Sequence, residues 1–149
     1  MNELTVRSAT EADLAALKII EDACFPDPWS EGALASHLQN ETTVTLLATL
    51  DGVAVGSLLL SFLPPEGEIY RIATLPDARR RGVGRALLSA GLSLAARAGV
   101  LRIFLDVRAS NTAAQSLYTT HGFAQTGVRR DYYRAPREDA VLMEREVST

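Results

Sequence analysis

The segment Arg79-Arg80-Arg81-Gly82-Val83-Gly84-Arg85-Ala86 constrains this chain more than any other. Upstream, Ile69 to Leu75 reads as a short apolar strand that stops at Pro76-Asp77. Downstream, Leu87, Leu88, Gly91, Leu92, Ala95 and Ala98 share one face of a helix over 86–98. A strand that passes through a glycine loop into a helix turns successive backbone N–H groups outward, where the positive end of the helix adds to them. The arginines surround that point with further positive charge. The pattern predicts a cradle for a pyrophosphate; a basic turn that only caps a helix is the plainer alternative.

Two common phosphate loops do not fit. A Walker loop needs Lys and then Ser or Thr after its second glycine, and here Arg85-Ala86 follows Gly84. A dinucleotide fingerprint needs a third glycine where this chain has Leu87. The pattern R-x-x-G-x-G-R-A instead resembles the coenzyme A signature of the GNAT family of N-acetyltransferases.

Composition narrows the remaining classes. A length of 149 residues suits one domain over 1–149 with a sizeable core, and 47% hydrophobic with 22% charged residues is ordinary for a globular protein. No apolar run reaches membrane-spanning length, and Met1 to Ala12 lacks the zones of a signal peptide. A single cysteine excludes an internal disulfide framework and suits a reducing cytoplasm. The net charge of −3 argues against general nucleic-acid binding. His37 and His121 stand far apart, and no grouping of Cys and His suggests a metal.

Along the chain, Leu4 and Val6 alternate with polar neighbours as a first strand. Thr10 caps a helix with Asp13 at the acid position of a capping box, and Leu14, Leu17, Ile20 and Cys24 form its stripe. Phe25-Pro26-Asp27-Pro28-Trp29 breaks that helix, and Ser30 caps a second one through Leu34 and Leu38. Val44–Leu50 and Val53–Leu63 flank Asp51-Gly52 as a hairpin, and Pro64-Pro65-Glu66-Gly67 reads as a loop. Leu101, Ile103, Leu105 and Val107 share one face of a strand. Asn111 caps a helix that Gly122 ends, and a polar, aromatic turn over 129–138 precedes a closing strand with Val141, Met143 and Val147. This order is that of a mixed α/β layer fold.

Five segments extend the resemblance to the GNAT family over essentially the whole chain: FPDPWS at 25–30, LDVRASN at 105–111, SLYTTHGF at 116–123, RRDYY from Arg129, and REDAVLM ending at Met143. They are closest to the branch that acetylates the N-terminal alanine of a small-subunit ribosomal protein. The resemblance implies a central, mostly antiparallel mixed sheet with helices on both faces. It implies acetyl-CoA as co-substrate without a metal, and a protein N-terminus as acceptor. Ile72, Ala73 and Thr74 would bind acetyl-CoA along the strand. Arg80, Arg81, Gly82, Val83, Gly84 and Arg85 would hold its pyrophosphate, with Asn111 nearby.

Acetyl transfer needs a base for the ammonium and a proton donor for the departing thiolate. The resemblance puts the donor at Tyr118, whose plainer role is a core aromatic. It puts the base at Asp106, where related enzymes carry Glu, one methylene and about 1.5 Å longer. Asp106 could instead pair with Arg102 or Arg108. Glu68 is the second candidate base, ranked after Asp106. Cys24 reads as a small buried thiol. Phe25 and Trp29 are either core residues or a wall for the acceptor; Tyr132 and Tyr133 face the acceptor or pack at a strand end. Two alternatives stay open: a GNAT enzyme acting on a small-molecule amine or lysine, and a non-catalytic acyl-CoA-binding module.

Overall fold

The computed structural model describes residues 3–147. Residues 1–2 and 148–149 of the expected single domain lie outside that range, as does the start of the segment Met1–Ala12. The described residues form strands β1 Leu4–Ser8, β2 Thr43–Leu50, β3 Val53–Leu63, β4 Glu66–Thr74, β5 Arg102–Arg108, β6 Ala124–Arg134 and β7 Arg137–Glu146. The helices are α1 Leu14–Cys24, α2 Glu31–Gln39, α3 Val83–Arg97 and α4 Thr112–Thr120. One sheet runs β1-β2-β3-β4-β5-β7-β6, antiparallel everywhere except between β4 and β5. No helix among the described residues is long and apolar enough to cross a membrane.

The alternation of each central strand builds two cores, one on each face of the sheet. Leu46, Leu58, Leu60, Ile69 and Leu105 pack with Leu87, Leu88 and Ala95 of α3 and Tyr118 of α4. Leu47, Leu59 and Ala73 face the other way, against Leu17 and Ile20 of α1 and Leu34 of α2. α3 lies very close to the sheet because glycines stand at the contact. A Cβ on Gly91 would fall 2.7 Å from Leu58 Cδ2, and one on Gly56 would fall 2.8 Å from the carbonyl oxygen of Ala73. The second obstacle is backbone and cannot swing aside. Gly56→Ala is therefore expected to destabilise the protein by about 2 kcal/mol, read as a lower denaturant midpoint at constant slope.

Local chemistry sets several boundaries as the sequence predicts. Asp51 and Gly52 both have positive φ, at 51° and 85°, giving the tight β2–β3 hairpin. Ser30 Oγ accepts from the amide of Ala33 at 3.1 Å, and Asn111 Oδ1 accepts from Ala114 at 3.2 Å. The amide of Thr10 donates to Asp13 Oδ2 at 2.8 Å, and Arg7 grips the same carboxylate. Thr10 and Asp13 thus form a capping box on a single 3-10 turn, Glu11–Asp13, and Asp13 is itself the N-cap of α1, which starts at Leu14.

Other boundaries differ. α3 begins at Val83 rather than Ala86, because left-handed Gly82 starts the helix inside the arginine loop. Glu66 and Gly67 belong to β4, leaving Pro64-Pro65 as the turn. Residues 129–134 are strand, not turn, since an edge strand exposed on both faces carries no hydrophobic alternation to reveal it. Leu101 precedes β5 and is 55% exposed, outside the face shared by Ile103, Leu105 and Val107.

β4 and β5 part company partway along. They pair only from Glu66–Arg102 to Ile69–Leu105. β3 pairs Leu59 with Arg71 but Leu60 with Ile69, so Tyr70 is an extra, bulged residue. A bulge increases local bend and twist. Beyond it the two strands diverge, and the sheet opens between them.

Candidate active site

Three connected chambers follow that opening. The outermost is lined by Arg79, Arg80, Gly82, Val83, Gly84 and Arg85, with Thr74 and Leu117. Here Arg80 has φ +65° and Gly82 φ +81°, so two left-handed residues curl the chain into α3. The first bond inside this end of the helix runs from the amide of Ala86 to Gly82 at 3.0 Å, so the amides of Val83, Gly84 and Arg85 precede it and have no intrahelical acceptor. Arg79 completes the rim, its Nε donating to the Thr74 carbonyl at 3.1 Å. Arg81 is exposed and lines none of these three chambers. The chamber can hold an anion with several oxygens.

The middle chamber shares Thr74, Arg79, Gly84 and Leu117 with the first. Ile72 and Ala73 line it from β4, with Asn111, Ala113 and Ala114 opposite. Gly84 stands at the junction, where a Cβ would come within 3.0 Å of Leu117 Cδ2. Gly82 is different: its added Cβ would meet nothing within 4 Å, so its constraint is the left-handed backbone. Cys24 lines this chamber, its thiol donating to the Thr74 carbonyl at 3.4 Å; burial pushes its pKa up and it stays a thiol.

The innermost chamber, about 260 Å³, sits in the splay itself. Glu68 aligns with Phe104 in the parallel register, so Asp106, two residues on, projects to the same side as Glu68. Both carboxylates line the chamber, and neither has an ion-pair partner among the described residues. Burial first, and then the Asp106 charge, pushes the Glu68 carboxyl above the usual carboxylate range. Asp106 does not pair with Arg102 or Arg108, which bind Glu144 at 3.9 Å and Glu138 at 3.2 Å.

Tyr118 reaches this chamber from the opposite face of the sheet, through the gap. Its residue is 3% exposed, and its ring packs against Phe123 at 5.5 Å. Burial above all, with Tyr133 adding to it, drives its pKa well up, so its hydroxyl stays protonated. Tyr132 and Tyr133 form a further wall, edge to face at 5.0 Å. The Asp106 charge raises the Tyr132 pKa first and burial second; for Tyr133 burial leads, then Asp106, to about 12. Phe25 and Trp29 both pack on the α1–α2 core and line the chamber, so the sequence alternatives are not exclusive.

The wall holds charged residues that sequence reasoning passed over. Because Tyr70 is bulged, Arg71 turns toward α1, where it pairs with Glu21. Glu21 is 1% exposed and also accepts from the amide of Trp29 at 2.9 Å. The Arg71 guanidinium lies over the rings of Phe25 at 3.9 Å and Trp29 at 4.8 Å. A signal for Glu21 was present: it stands four residues after Leu17, on the apolar stripe of α1. No group of three or more His, Cys, Asp or Glu among the described residues could hold a metal ion.

A channel thus runs from an arginine-rich helix terminus to a small chamber holding two carboxylates and a protonated phenol. Comparison with known proteins agrees with this chemistry. The Acetyltransferase (GNAT) family model matches residues 14–123. The chain is 36% identical over 146 residues to the [ribosomal protein bS18]-alanine N-acetyltransferase of Escherichia coli, covering 97% of this chain and 98% of that one. It is 36% identical over 149 residues to N-alpha-acetyltransferase RimI of Mycobacterium tuberculosis, covering 96% and 92%. A crystal structure of the Escherichia coli enzyme aligns with a TM-score of 0.90 at 36% identity, over 100% of this chain and 96% of that one. Ard1 from Thermoplasma volcanium aligns with a TM-score of 0.89 at 27% identity, over 98% and 99%.

Proposed function

Since the chain belongs to the GNAT acetyltransferase family, we propose that this acetyl-CoA-dependent N-acetyltransferase modifies the α-amine of an N-terminal alanine, as presented by a small-subunit ribosomal protein in the cytoplasm. Residues 1–149 act as one domain. The observation that carries the reading is the innermost chamber: two carboxylates without cationic partners among the described residues face a protonated tyrosine where the channel ends. The near full-length similarity to two N-terminal acetyltransferases supports the acceptor.

Each residue's role follows from its chemistry. The amides of Val83 and Gly84 and the guanidiniums of Arg79, Arg80 and Arg85 bind the pyrophosphate, with Arg81 contributing long-range charge from outside the chamber. Ile72, Ala73, Thr74 and Asn111 flank the pantetheine arm. Asp106, with Glu68 as the second candidate, takes the proton from the incoming ammonium, directly or through water. The amine nitrogen then forms its bond to the acetyl carbonyl carbon. As the C–S bond breaks, Tyr118 passes its proton to the departing sulfur and regains one from the second proton that the nitrogen sheds, so that an amide and a free thiol are left. A free thiol has a pKa of about 8.5, so a phenol raised far above it acts chiefly as a hydrogen-bond donor whose proton moves only as that bond breaks.

The two acids are separable by titration. Asp106 raises Glu68, so Asp106→Asn lets the Glu68 pKa fall. If Glu68 is the base, the acidic limb of kcat/KM moves to lower pH with activity retained, and Glu68→Gln removes that limb. If Asp106 is the base, Asp106→Asn itself removes the limb and most of the rate. The second result is expected, in keeping with the order assigned from sequence.

Acetyl-CoA consumption tests the activity as a whole. An alanine-starting peptide should be turned over in preference to polyamines and aminoglycosides. Faster turnover of a polyamine would make this a small-molecule acetyltransferase, and binding of acetyl-CoA without turnover of any amine would make it a binding module.

A further inference from the structure

Asp27 lies in the loop between α1 and α2, between two arginines that already have partners. Arg71 on β4 is paired with buried Glu21, and Arg108 on β5 with Glu138 at 3.2 Å. Arg108 also donates to the carbonyls of Pro136 at 2.8 Å and Ala135 at 3.1 Å, in the β6–β7 turn, and lies 4.3 Å over the Tyr133 ring. Neither guanidinium therefore needs Asp27 for neutralisation. Even so, Asp27 Oδ1 is 3.6 Å from Arg71 Nη2 and Oδ2 is 3.3 Å from Arg108 Nη2. Oδ1 is buried and has no hydrogen-bond donor among the described residues. A buried carboxylate oxygen without a donor is unfavourable unless nearby charge compensates it. Here the two arginines supply that charge, and they come from the two strands that diverge at the splay.

We propose that Asp27 is a positioning residue that clasps β4 to β5 across their divergence and so sets the width of the acceptor chamber. Three parts of the wall meet in this clasp. The loop carrying Asp27 also carries Phe25 and Trp29. Arg71 holds both of their rings, and Arg108 ties in Tyr133 and the β6–β7 turn. Both separations exceed the roughly 2.7–2.9 Å of a close charge-assisted bond. Asp27 thus draws the two sides together through space without locking either. Arg108 also lines the middle chamber, which places the clasp at the boundary between the thioester channel and the acceptor.

Trp29 is the single tryptophan of the chain, so its fluorescence reports the position of this wall without any acceptor. In Asp27→Asn, acrylamide quenching of Trp29 should rise about twofold and the KM for the alanine-starting peptide about tenfold. The Kd for acetyl-CoA and the melting temperature should not change. Asp27→Glu, which keeps the charge on a side chain one methylene longer, should return both readouts toward wild type. Unchanged quenching would overturn the proposal. So would an unchanged peptide KM, a parallel fall in melting temperature and acetyl-CoA affinity, or a Glu variant no better than Asn. The proposal takes its acceptor from the function proposed above. Should wild type fail to acetylate the peptide, that reading falls, while the quenching comparison still decides the clasp.

Discussion

Gly84→Asp is expected to raise the Kd for acetyl-CoA about a hundredfold or more while the protein remains folded. Gly84 stands where the anion chamber meets the middle chamber, and a Cβ there would approach Leu117 Cδ2 to 3.0 Å. That contact is with the end of a flexible side chain, so the fold can accommodate it. The ligand cannot. A carboxylate placed at the mouth of a helix terminus repels a pyrophosphate by about 4 kcal/mol at 4 Å and an effective dielectric of about 20, which is nearly a thousandfold in affinity before any relaxation. Gly84→Ala should cost far less, since it adds bulk without charge. Calorimetry that finds the Asp variant binding acetyl-CoA as wild type does would remove this loop from the site.

Tyr118→Phe should lower kcat by about a hundredfold, the low end of what a positioned proton donor contributes, with acetyl-CoA affinity unchanged. The ring is the part of Tyr118 that packs, against Phe123 and beneath the splay, and Phe preserves it. Only the hydroxyl is lost, so the effect belongs to the chemical step. Its sign with pH also follows. Burial holds the phenol protonated well above its ordinary range, so no loss of activity from ionisation of Tyr118 is expected up to pH 10. A Phe variant that retains the wild-type kcat would assign Tyr118 to the core alone.

What was legible in the sequence was local. Arginines and glycines between a strand and a helix, Asp51-Gly52 between two apolar runs, and Ser30 and Asn111 ahead of helices each act within a few residues. Their chemistry can be read without the rest of the fold. The bulge at Tyr70 has no such signature. It lies where β4 stops pairing with parallel β5 while still pairing with antiparallel β3, and it turns Arg71 toward Glu21. The charged wall was hidden for the same reason. Asp27, Arg71, Arg108 and Glu138 are spread over more than a hundred positions and meet only when four elements converge. β6 was missed because all of its residues except Gly127 and Tyr133 are exposed on an edge, where no core imposes a period of two. Asp106 and Glu68 could be picked out singly, but that the charge of one raises the pKa of the other depends on the register between their strands.

Proton chemistry favours an α-amine as the acceptor. A chain N-terminus has a pKa near 8, so at pH 7.5 roughly a quarter of α-amines are already neutral. A lysine side chain, with a pKa near 10.4, leaves about one in a thousand. A base pair one methylene short at Asp106 therefore has the easier task with an α-amine. Mass spectrometry of an alanine-starting ribosomal peptide that also contains lysine, after incubation with acetyl-CoA and the enzyme, tests this most directly. Acetyl on the α-amine, with the lysine left free, is the predicted result; acetylation mainly on the lysine would contradict it.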